Sequence, residues 1–184
     1  VELSEEEAVM IKPLGLLTAK PIIYATNVSE EDLAEGNAYC TEVINLAAND
    51  GAETVRISAQ VEAELIELGD YERADYLEGL GVSEGGLQSL IQATYRLLGL
   101  RTYVTTGEKE TRAWTFKAGM TAPQAAGVIH TDFERGFIRA QTIGWEKLIE
   151  AGSLAEARNK GWLRSEGKEY VVDEGDVMEF LFNV

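Results

Sequence analysis

The sequence predicts a mixed α/β chain in two parts, a parallel strand–helix–strand segment followed by a small β-grasp module. Residues 1–99 alternate apolar, β-branched runs with helical stripes, whereas residues 100–184 begin with a hairpin pattern and continue as helix and strands. The formal charge of −16 divides at the same place: residues 1–99 hold 5 basic and 19 acidic side chains, and residues 100–184 hold 11 and 13. We therefore place a domain boundary at Gly99.

The first segment begins with a short helix and a buried strand. Ser4 and Glu7 have the spacing of a capping box, and Pro13 interrupts the helix that they start. Residues 20–28 form a nearly all-apolar run with β-branched side chains, which predicts a strand buried on both faces.

A helix and a second strand follow. Cys40, Val43, Ile44 and Ala47 recur at helical spacing, and residues 54–58 are typical of a strand. A strand, a helix and a strand within about forty residues predict a parallel pair with a right-handed crossover. Ligands bind such sheets at the carboxyl ends of the strands, here residues 27–30 and 58–60.

Residues 61–98 are predicted as helices, which Gly79 and Gly81 interrupt and Gly99 ends.

In the second segment, residues 100–106 and 111–117 are β-rich and are joined by Gly107, Glu108 and Lys109, which predicts a hairpin.

The rest of the second segment is predicted as helices and strands. Thr121 and Gln124 start a helix that runs through about Ile129, and Ser153 and Glu156 form another capping box. Further strands are predicted in three places: residues 136–143, 170–173 and 177–183. A hairpin, a helix and more strands in about 85 residues are typical of a β-grasp module.

Composition excludes several classes of protein. A single Cys excludes an internal disulfide framework and is typical of a reducing compartment, so we expect a cytoplasmic protein. No apolar run reaches the roughly 18 residues of a membrane span, and the acidic charge opposes wrapping of DNA or RNA. We expect no membrane or DNA partner. The chain begins with Val1 rather than Met, which we interpret as a processed or partial chain.

The two residues best suited to metal binding or nucleophilic catalysis have simpler explanations. Cys40 lies on the apolar stripe of its helix, which favours a buried structural thiol. His130 ends a helix before Thr131, where capping or a surface position is favoured over catalysis. One Cys and one His cannot form a zinc site alone, so we assign no metal ligand and no catalytic residue.

Phosphate-binding motifs are also missing from the sequence. Gly79 and Gly81 are followed by Glu84 where a dinucleotide motif needs glycine, and Gly167-Lys168 lacks the upstream glycine of a P-loop. The chain cannot hold a triphosphate by either device.

The two strand ends carry the strongest chemical signal. Asn27-Val28-Ser29-Glu30 and Ser58-Ala59-Gln60 resemble, in spacing and setting, the base-recognition and ribose-side loops of translation-factor-type GTPases, usually written NKxD and SAK. A Glu is one methylene longer than the Asp that pairs with guanine, and Val28 replaces the Lys stem that covers the base. We therefore expect guanine specificity to be lost. From spacing alone, the alternative that these are ordinary turn residues is equally good.

Longer stretches of the sequence are similar to the YchF family of Obg-like ATPases. The likeness covers the entire chain and is most specific at residues 17–21, 45–53, 122–140 and 175–177. It implies that residues 1–99 are the last portion of a P-loop-type nucleotide-binding domain with the end of its helical arm, and that residues 100–184 are a ubiquitin-like TGS domain.

The resemblance also implies the ligands and their sites. Asn27, the backbone of Val28 and Glu30 would line adenine, with Ser58 and Ala59 packed behind it. The intact protein would hydrolyse ATP with magnesium, whereas its P-loop and magnesium ligands would lie outside this chain. We therefore expect the chain alone to bind no cofactor, to bind ATP weakly or not at all, and to be inactive.

The family's association with the ribosome implies a second kind of site on the TGS domain. Six basic residues near proposed strands or turns are candidates for contacts with RNA or with the ribosome, where we expect the large subunit: Arg101, Lys109, Arg112, Lys117, Arg135 and Arg139. Solvated surface positions are the simpler explanation for each. The aromatic residues among them, Tyr103, Trp114, Phe116 and Phe137, are expected in the core in preference to base stacking. A non-catalytic domain that docks on a protein partner is the remaining alternative.

Overall fold

The structure is a computed structural model that describes residues 3–107 and 110–183. The predicted turn residues Glu108 and Lys109 lie outside the described residues. The chain divides into two compact units, Val1–Leu97 and Leu98–Val184. None of the helices in the described ranges is long and apolar enough to cross a membrane.

Among its described residues, the first unit contains a parallel strand pair and five α-helices. Its elements in chain order are α1 (Glu5–Ile11), β1 (Ile23–Asn27), α2 (Ala38–Asp50), β2 (Glu53–Ile57), α3 (Ala59–Glu67), α4 (Asp70–Gly79) and α5 (Gly86–Leu98). Ser4 and Glu7 form the predicted capping box of α1. The helix gives way at Pro13 to a 3-10 turn, Lys12–Leu14, because proline cannot donate the next helical hydrogen bond.

The predicted parallel pair is present. Ile23 of β1 lies opposite Glu53 of β2, and Asn27 lies opposite Ile57, so both carboxyl ends reach the same edge. Helix α2 buries Cys40 and Ala47, as its stripe predicts, and ends at Gly51 with a φ of 64°. The expectation that β1 is buried on both faces is wrong for this structure: Ala25 and Asn27, which point to the same side of the strand, are both exposed, so this face is open among the described residues.

Helices α3 and α4 enclose the main apolar cluster of this unit. Leu33, Val61 and Leu65 are its buried members. Gly86 sets how closely α5 approaches β2, since a Cβ there would lie 2.8 Å from the Cα of Ile57. These contacts support the loops at the carboxyl ends of β1 and β2.

The part of the second unit that the structure describes contains a five-stranded mixed sheet and four α-helices. Its elements are β3 (Leu100–Thr106), β4 (Thr111–Lys117), α6 (Ala122–Ile129), α7 (Thr131–Arg135), β5 (Phe137–Gly144), α8 (Trp145–Ala151), α9 (Leu154–Asn159), β6 (Arg164–Glu166) and β7 (Asp176–Phe182). The predicted hairpin is confirmed residue for residue, with Leu100 opposite Lys117 and Thr106 opposite Thr111. Thr121 and Gln124 cap α6 as predicted.

The sheet order is β4-β3-β7-β5-β6, with β3 parallel to β7 and the other pairs antiparallel. The last strand therefore lies between the first hairpin and β5. With α6 packed on one face, this is the β-grasp arrangement that the sequence predicts.

Both faces of this sheet are covered. One face packs on α6 around Tyr103, Phe116 and Phe137, which are at most 4% exposed. Ile143 and Val177 belong to a second cluster with residues of α8 and α9 on the other face. The core assignment of Tyr103, Phe116 and Phe137 is therefore confirmed.

Three parts of the second unit differ from the sequence predictions. Residues 170–173 are not a strand, because Val171 makes a single bridge to Thr121 and the turn to β7 begins at once. The capping box predicted at Ser153 and Glu156 is half formed, because Ser153 accepts from the backbone N–H of Glu156 without the return bond from the Glu156 side chain. Helices α7 and α8 and the three-residue strand β6 were not predicted, since each is too short to show a periodic pattern.

Candidate functional site

The carboxyl ends of β1 and β2 are joined by a side chain. Asn27 Oδ1 accepts a hydrogen bond of 2.9 Å from the backbone N–H of Ala59, which starts α3. The Asn27 side chain is exposed, and its amide nitrogen can donate to a ligand. The structure thus brings together the two strand-end segments that the sequence pairs.

Val28 contributes its backbone to the edge and its side chain to the interior. Its N–H donates to the carbonyl of Ile57 over 2.9 Å, so this donor is already used. The side chain packs against the cluster of Leu33, Val61 and Leu65. Of the Val28 backbone, the carbonyl is therefore the group that can meet a ligand.

Ser58 and Ala59 differ in their roles. Ser58 is 1% exposed, and its Oγ accepts from the N–H of Val61 as the N-cap of α3. Ala59 is exposed beside Asn27. Ser58 therefore shapes the loop from behind, and Ala59 faces outward.

Glu30 begins a 3-10 turn, Glu30–Asp32, and is half-buried. A residue that the sequence did not point to lies beside it: the hydroxyl of Tyr76, on α4, donates to Glu64. That hydrogen bond, then burial, then the negative charge of Glu30 raise the pKa of Tyr76 to about 12. Tyr76 is far along the chain and shares no motif with Glu30, so only the fold reveals the pair.

The loop after Glu30 is held by polar contacts. Asp32 accepts from the Asn37 amide at 2.7 Å, and Arg56 donates through Nη1 to the carbonyls of Leu33 and Ala34. Gly36, with a φ of 76°, leaves room for Arg56, because a Cβ there would lie 3.2 Å from its guanidinium carbon. The edge is thus fixed on the Glu30 side as well.

The residues present fit one part of a nucleotide. An amide donor on Asn27, a carboxylate acceptor on Glu30 and a free carbonyl on Val28 suit the polar edge of a base. Across the described residues, no cluster of three His, Cys, Asp or Glu side chains could hold a metal ion. The donor set therefore suits the polar edge of a base.

Cys40 and His130 lie where the sequence predicts. Cys40 is 5% exposed and free of a disulfide, as expected of a buried structural thiol. His130 follows α6 and caps the start of α7, where its Nδ1 accepts a hydrogen bond from the backbone N–H of Asp132.

The basic residues proposed to contact RNA do not form one cluster. Lys117 lies opposite Leu100 at the start of β3, whereas Arg139 lies opposite Leu181 near the end of β7, which runs parallel to β3. These two charges therefore lie toward opposite ends of the sheet. Arg135 and Arg139 are exposed and close in sequence, at the end of α7 and the start of β5.

Two of the remaining basic residues have partners within the unit. Arg101 lies 3.4 Å from Asp173, and the guanidinium carbon of Arg112 lies 4.2 Å from the ring centre of Trp114. Lys109 lies outside the described residues. Arg135 and Arg139 are therefore the better pair for testing a contact with RNA.

The two units define the class of chain: a parallel α/β segment with a polar strand edge, followed by a β-grasp module. Residues 100–183 match the family model YchF-GTPase_C, whose description is a protein of unknown function (DUF933). The whole chain is 52% identical to the Ribosome-binding ATPase YchF of Bacillus subtilis (strain 168) and covers 51% of that protein. It is 50% identical to the protein of the same name from Escherichia coli O157:H7, of which it covers 50%.

Solved structures agree with this assignment. The structure of the Schizosaccharomyces pombe YchF GTPase matches 98% of this chain with a TM-score of 0.82 and 34% identity, and the match covers 48% of that chain. A GTP binding protein from Pyrococcus horikoshii OT3 matches 100% of this chain and 58% of its own, with a TM-score of 0.63 and 18% identity, which shows the fold alone. The chain belongs to the YchF family, as the carboxyl-terminal portion, and spans about half the length of the curated relatives that it matches.

Proposed function

We propose that this chain is the carboxyl-terminal portion of a ribosome-associated ATPase that binds and hydrolyses ATP in preference to GTP. The observation that carries the proposal is the hydrogen bond from Ala59 N–H to Asn27 Oδ1, which holds both strand-end loops at one edge. Asn27, Val28 and Glu30 would contact the base, and Ser58 and Ala59 would support it.

The chemistry of the edge favours adenine. Adenine presents a donor at its exocyclic amine and an acceptor at the neighbouring ring nitrogen, whereas guanine presents two donors that an Asp carboxylate accepts together. The Glu30 carboxylate is displaced by one methylene and lies beside Tyr76. One carboxylate oxygen or the Val28 carbonyl can accept from the adenine amine, and the Asn27 amide can donate to the ring.

The rest of the nucleotide would be held by residues outside these 184. No P-loop pattern occurs in the sequence, and the curated relatives are about twice as long as the segment that they share with this chain. In the longer protein, magnesium would neutralise charge on the transferred phosphate. The 184-residue chain alone should therefore bind ATP weakly or not at all and hydrolyse none.

A nucleotide competition measurement on the full-length protein tests base selection. Changing Glu30→Asp restores the shorter acidic side chain and should reduce the preference for ATP over GTP by about tenfold or more, because buried polar pairing discriminates strongly. Glu31→Asp is the matched control, since Glu31 is exposed in the same 3-10 turn. An unchanged ATP-to-GTP affinity ratio in Glu30→Asp would show that Glu30 does not select the base.

The second part of the proposal is that the β-grasp unit acts as a TGS domain and associates with the ribosome, which places the protein in the cytoplasm. The names of the relatives motivate it. Exposed Arg135 and Arg139 are the pair best placed to meet phosphates, and we propose the large subunit as their partner. The alternative function is a docking module without catalysis, on the ribosome, RNA or a protein partner. The near-neutral charge of residues 100–184 favours this unit over the first as the docking element.

Co-sedimentation with ribosomes tests this contact. Reversing both Arg135→Glu and Arg139→Glu should remove most of the protein from the ribosome pellet at moderate salt. The control reverses Arg158 and Lys168, which are exposed on α9 and in the turn after β6. An equal loss with both pairs, or no loss with either, would contradict an Arg135–Arg139 contact. Binding to a protein partner that salt does not weaken would favour the alternative.

A further inference from the structure

A pocket of about 350 Å³ lies in the second unit, at the junction of β5, α8 and the turn before β7. Two tryptophans line it, Trp145 and Trp162. Its volume is within the range of roughly 300–1,000 Å³ that is typical of small-molecule and side-chain sites. None of the residues proposed to contact the base or the ribosome lines it.

The turn that forms one wall is held rigidly. Gly175 N–H donates to the carbonyl of Thr102 at 2.8 Å, and the Glu174 carboxylate accepts from the Thr102 N–H at 2.9 Å. Asp176 is 4% exposed and accepts from the Asp173 N–H and from the Tyr170 hydroxyl. The wall is therefore formed before any partner arrives.

The same turn positions an exposed tryptophan. The backbone N–H of Trp145 donates to the carbonyl of Gly175 at 3.1 Å. A Cβ on Gly175 would lie 2.5 Å from Cδ1 of the Trp145 indole. Gly175 also has a φ of 77°, which favours glycine. The indole is nevertheless 50% exposed, so a large aromatic face is fixed in place and left open.

The charges around the pocket favour a cation. Four carboxylates line it, against Lys147 and Arg164: Glu146, Asp173, Glu174 and Asp176. Two of these carboxylates already have basic partners, since Asp173 lies 3.4 Å from Arg101 and Asp176 lies 3.6 Å from Arg164, which also contacts Glu166. Lys160 lies over the Trp162 ring at 4.5 Å, so Trp145 offers the more open indole. Among the described residues, Glu146 and Glu174 are the lining carboxylates without an ion pair, against one lysine, Lys147. A phosphate would meet net negative charge, whereas a guanidinium would meet an indole face and carboxylates.

We propose that this pocket, formed by Trp145, Trp162, Glu146 and the 173–176 turn, binds an arginine side chain from a basic segment of a partner protein. The guanidinium stacks on Trp145, and Glu146 and Glu174 accept its hydrogen bonds. This inference goes beyond the proposed function, because it requires neither nucleotide nor ribosomal RNA.

The test uses the 184-residue chain and a fluorescein-labelled peptide of eleven residues with three arginines in a Gly/Ser background. Fluorescence anisotropy should show saturable binding that weakens about tenfold when citrulline replaces arginine, since citrulline keeps the shape and loses the charge. Trp145→Ala should weaken binding roughly three- to tenfold. Ile149→Ala, an exposed position on the same helix outside the pocket lining, should change nothing.

A site-specific readout separates the pocket from general attraction to an acidic chain. In a two-dimensional NMR spectrum, the peptide should shift the indole N–H signal of Trp145 and leave that of Trp114 in place. Glu146→Gln, at an exposed position that folding does not need, should weaken binding as well.

Several results would overturn the proposal. Equal binding by Trp145→Ala and Ile149→Ala would show attraction to the surface charge and not to the pocket. No saturable binding, or equal affinity for the citrulline peptide, would exclude an arginine site. A preference for an oligouridine probe of the same length, with the Trp145 signal shifted, would show that the pocket stacks a base instead.

Discussion

The two units differ in how their sheets are enclosed. In the second unit, helices cover both faces of a five-stranded sheet, and Tyr103 and Ile143 are at most 1% exposed. In the first unit, the described sheet has two strands and Ala25 is exposed. Apolar burial therefore stabilises the second unit, whereas side-chain hydrogen bonds fix the functional edge of the first. The difference can be tested, because all three tryptophans lie in the second unit and report on its unfolding.

The largest expected effect compares one tyrosine from each sheet. Tyr103 is fully buried and donates to the Ala125 carbonyl, so Tyr103→Ala should lower the free energy of unfolding by about 3–5 kcal/mol. Tyr24 in β1 is half-buried and donates to Asp50 at the surface. Tyr24→Ala should leave the urea midpoint seen by tryptophan fluorescence unchanged. Equal shifts would mean that the two units unfold together.

A glycine pair tests how closely α5 approaches β2 in the first unit. Gly86→Ala should destabilise this unit by about 1–3 kcal/mol, because the added methyl meets the Ile57 backbone. At Gly79, in α4, no atom lies within 4 Å of the place that a Cβ would take. Gly79→Ala should therefore leave the free energy of unfolding unchanged or raise it by up to about 1 kcal/mol. Thermal unfolding by far-ultraviolet circular dichroism measures both. A harmless Gly86→Ala would contradict the close approach.

The hydrogen bond between Asn27 and Ala59 should contribute less to the free energy of unfolding. Asn27→Ala removes the hydrogen bond to Ala59 N–H and should cost about 0.5–1.5 kcal/mol. Its control is Asn45→Ala on the exposed face of α2. Hydrogen exchange of the Ala59 amide is the direct measurement, and it should become faster in Asn27→Ala alone. Unchanged exchange would show that the side chain does not join the loops.

The smallest effect concerns pH. The Tyr76 pKa of about 12 in the folded chain lies above its ordinary value of 10, so the contribution of its hydrogen bond is complete below pH 10 and is lost as pH rises toward 12. The Tyr76 hydrogen bond also lowers the pKa of Glu64. Burial also raises the pKa of Tyr103 and of Tyr170, so ultraviolet titration should show several late-ionising tyrosines, and Tyr76→Phe should remove one of them. A titration curve that Tyr76→Phe leaves unchanged at high pH would contradict the contact.

Much of the fold could be predicted from the sequence because its signals are local. The capping boxes of α1 and α6, the helical stripe on α2 and the β3–β4 hairpin are each contained in one short stretch of chain, the longest being the hairpin at Leu100–Lys117. Residues 170–173 were mistaken for a strand because a short apolar pair resembles one, although Asp176 draws the chain into a turn by accepting from Asp173 N–H. Strand β6 has three residues, too few for any alternation to show.

The candidate site was predictable only in part. The strand-end positions of Asn27 and Ser58 follow from the parallel pair, and the structure adds the bond that joins the two loops. Tyr76 beside Glu30, Arg56 on the Leu33 carbonyl and Trp145 against Gly175 depend on residues 23 to 46 positions apart. No spacing rule reaches that far, so these contacts required the folded chain.

We propose that the strand edge formed by Asn27, Val28 and Glu30 selects adenine. The most direct measurement is the dissociation constants of ATP and GTP for the full-length protein under one set of conditions. If the edge selects adenine, ATP should bind more tightly than GTP, by about tenfold or more. Equal affinities, or tighter binding of GTP, would contradict it.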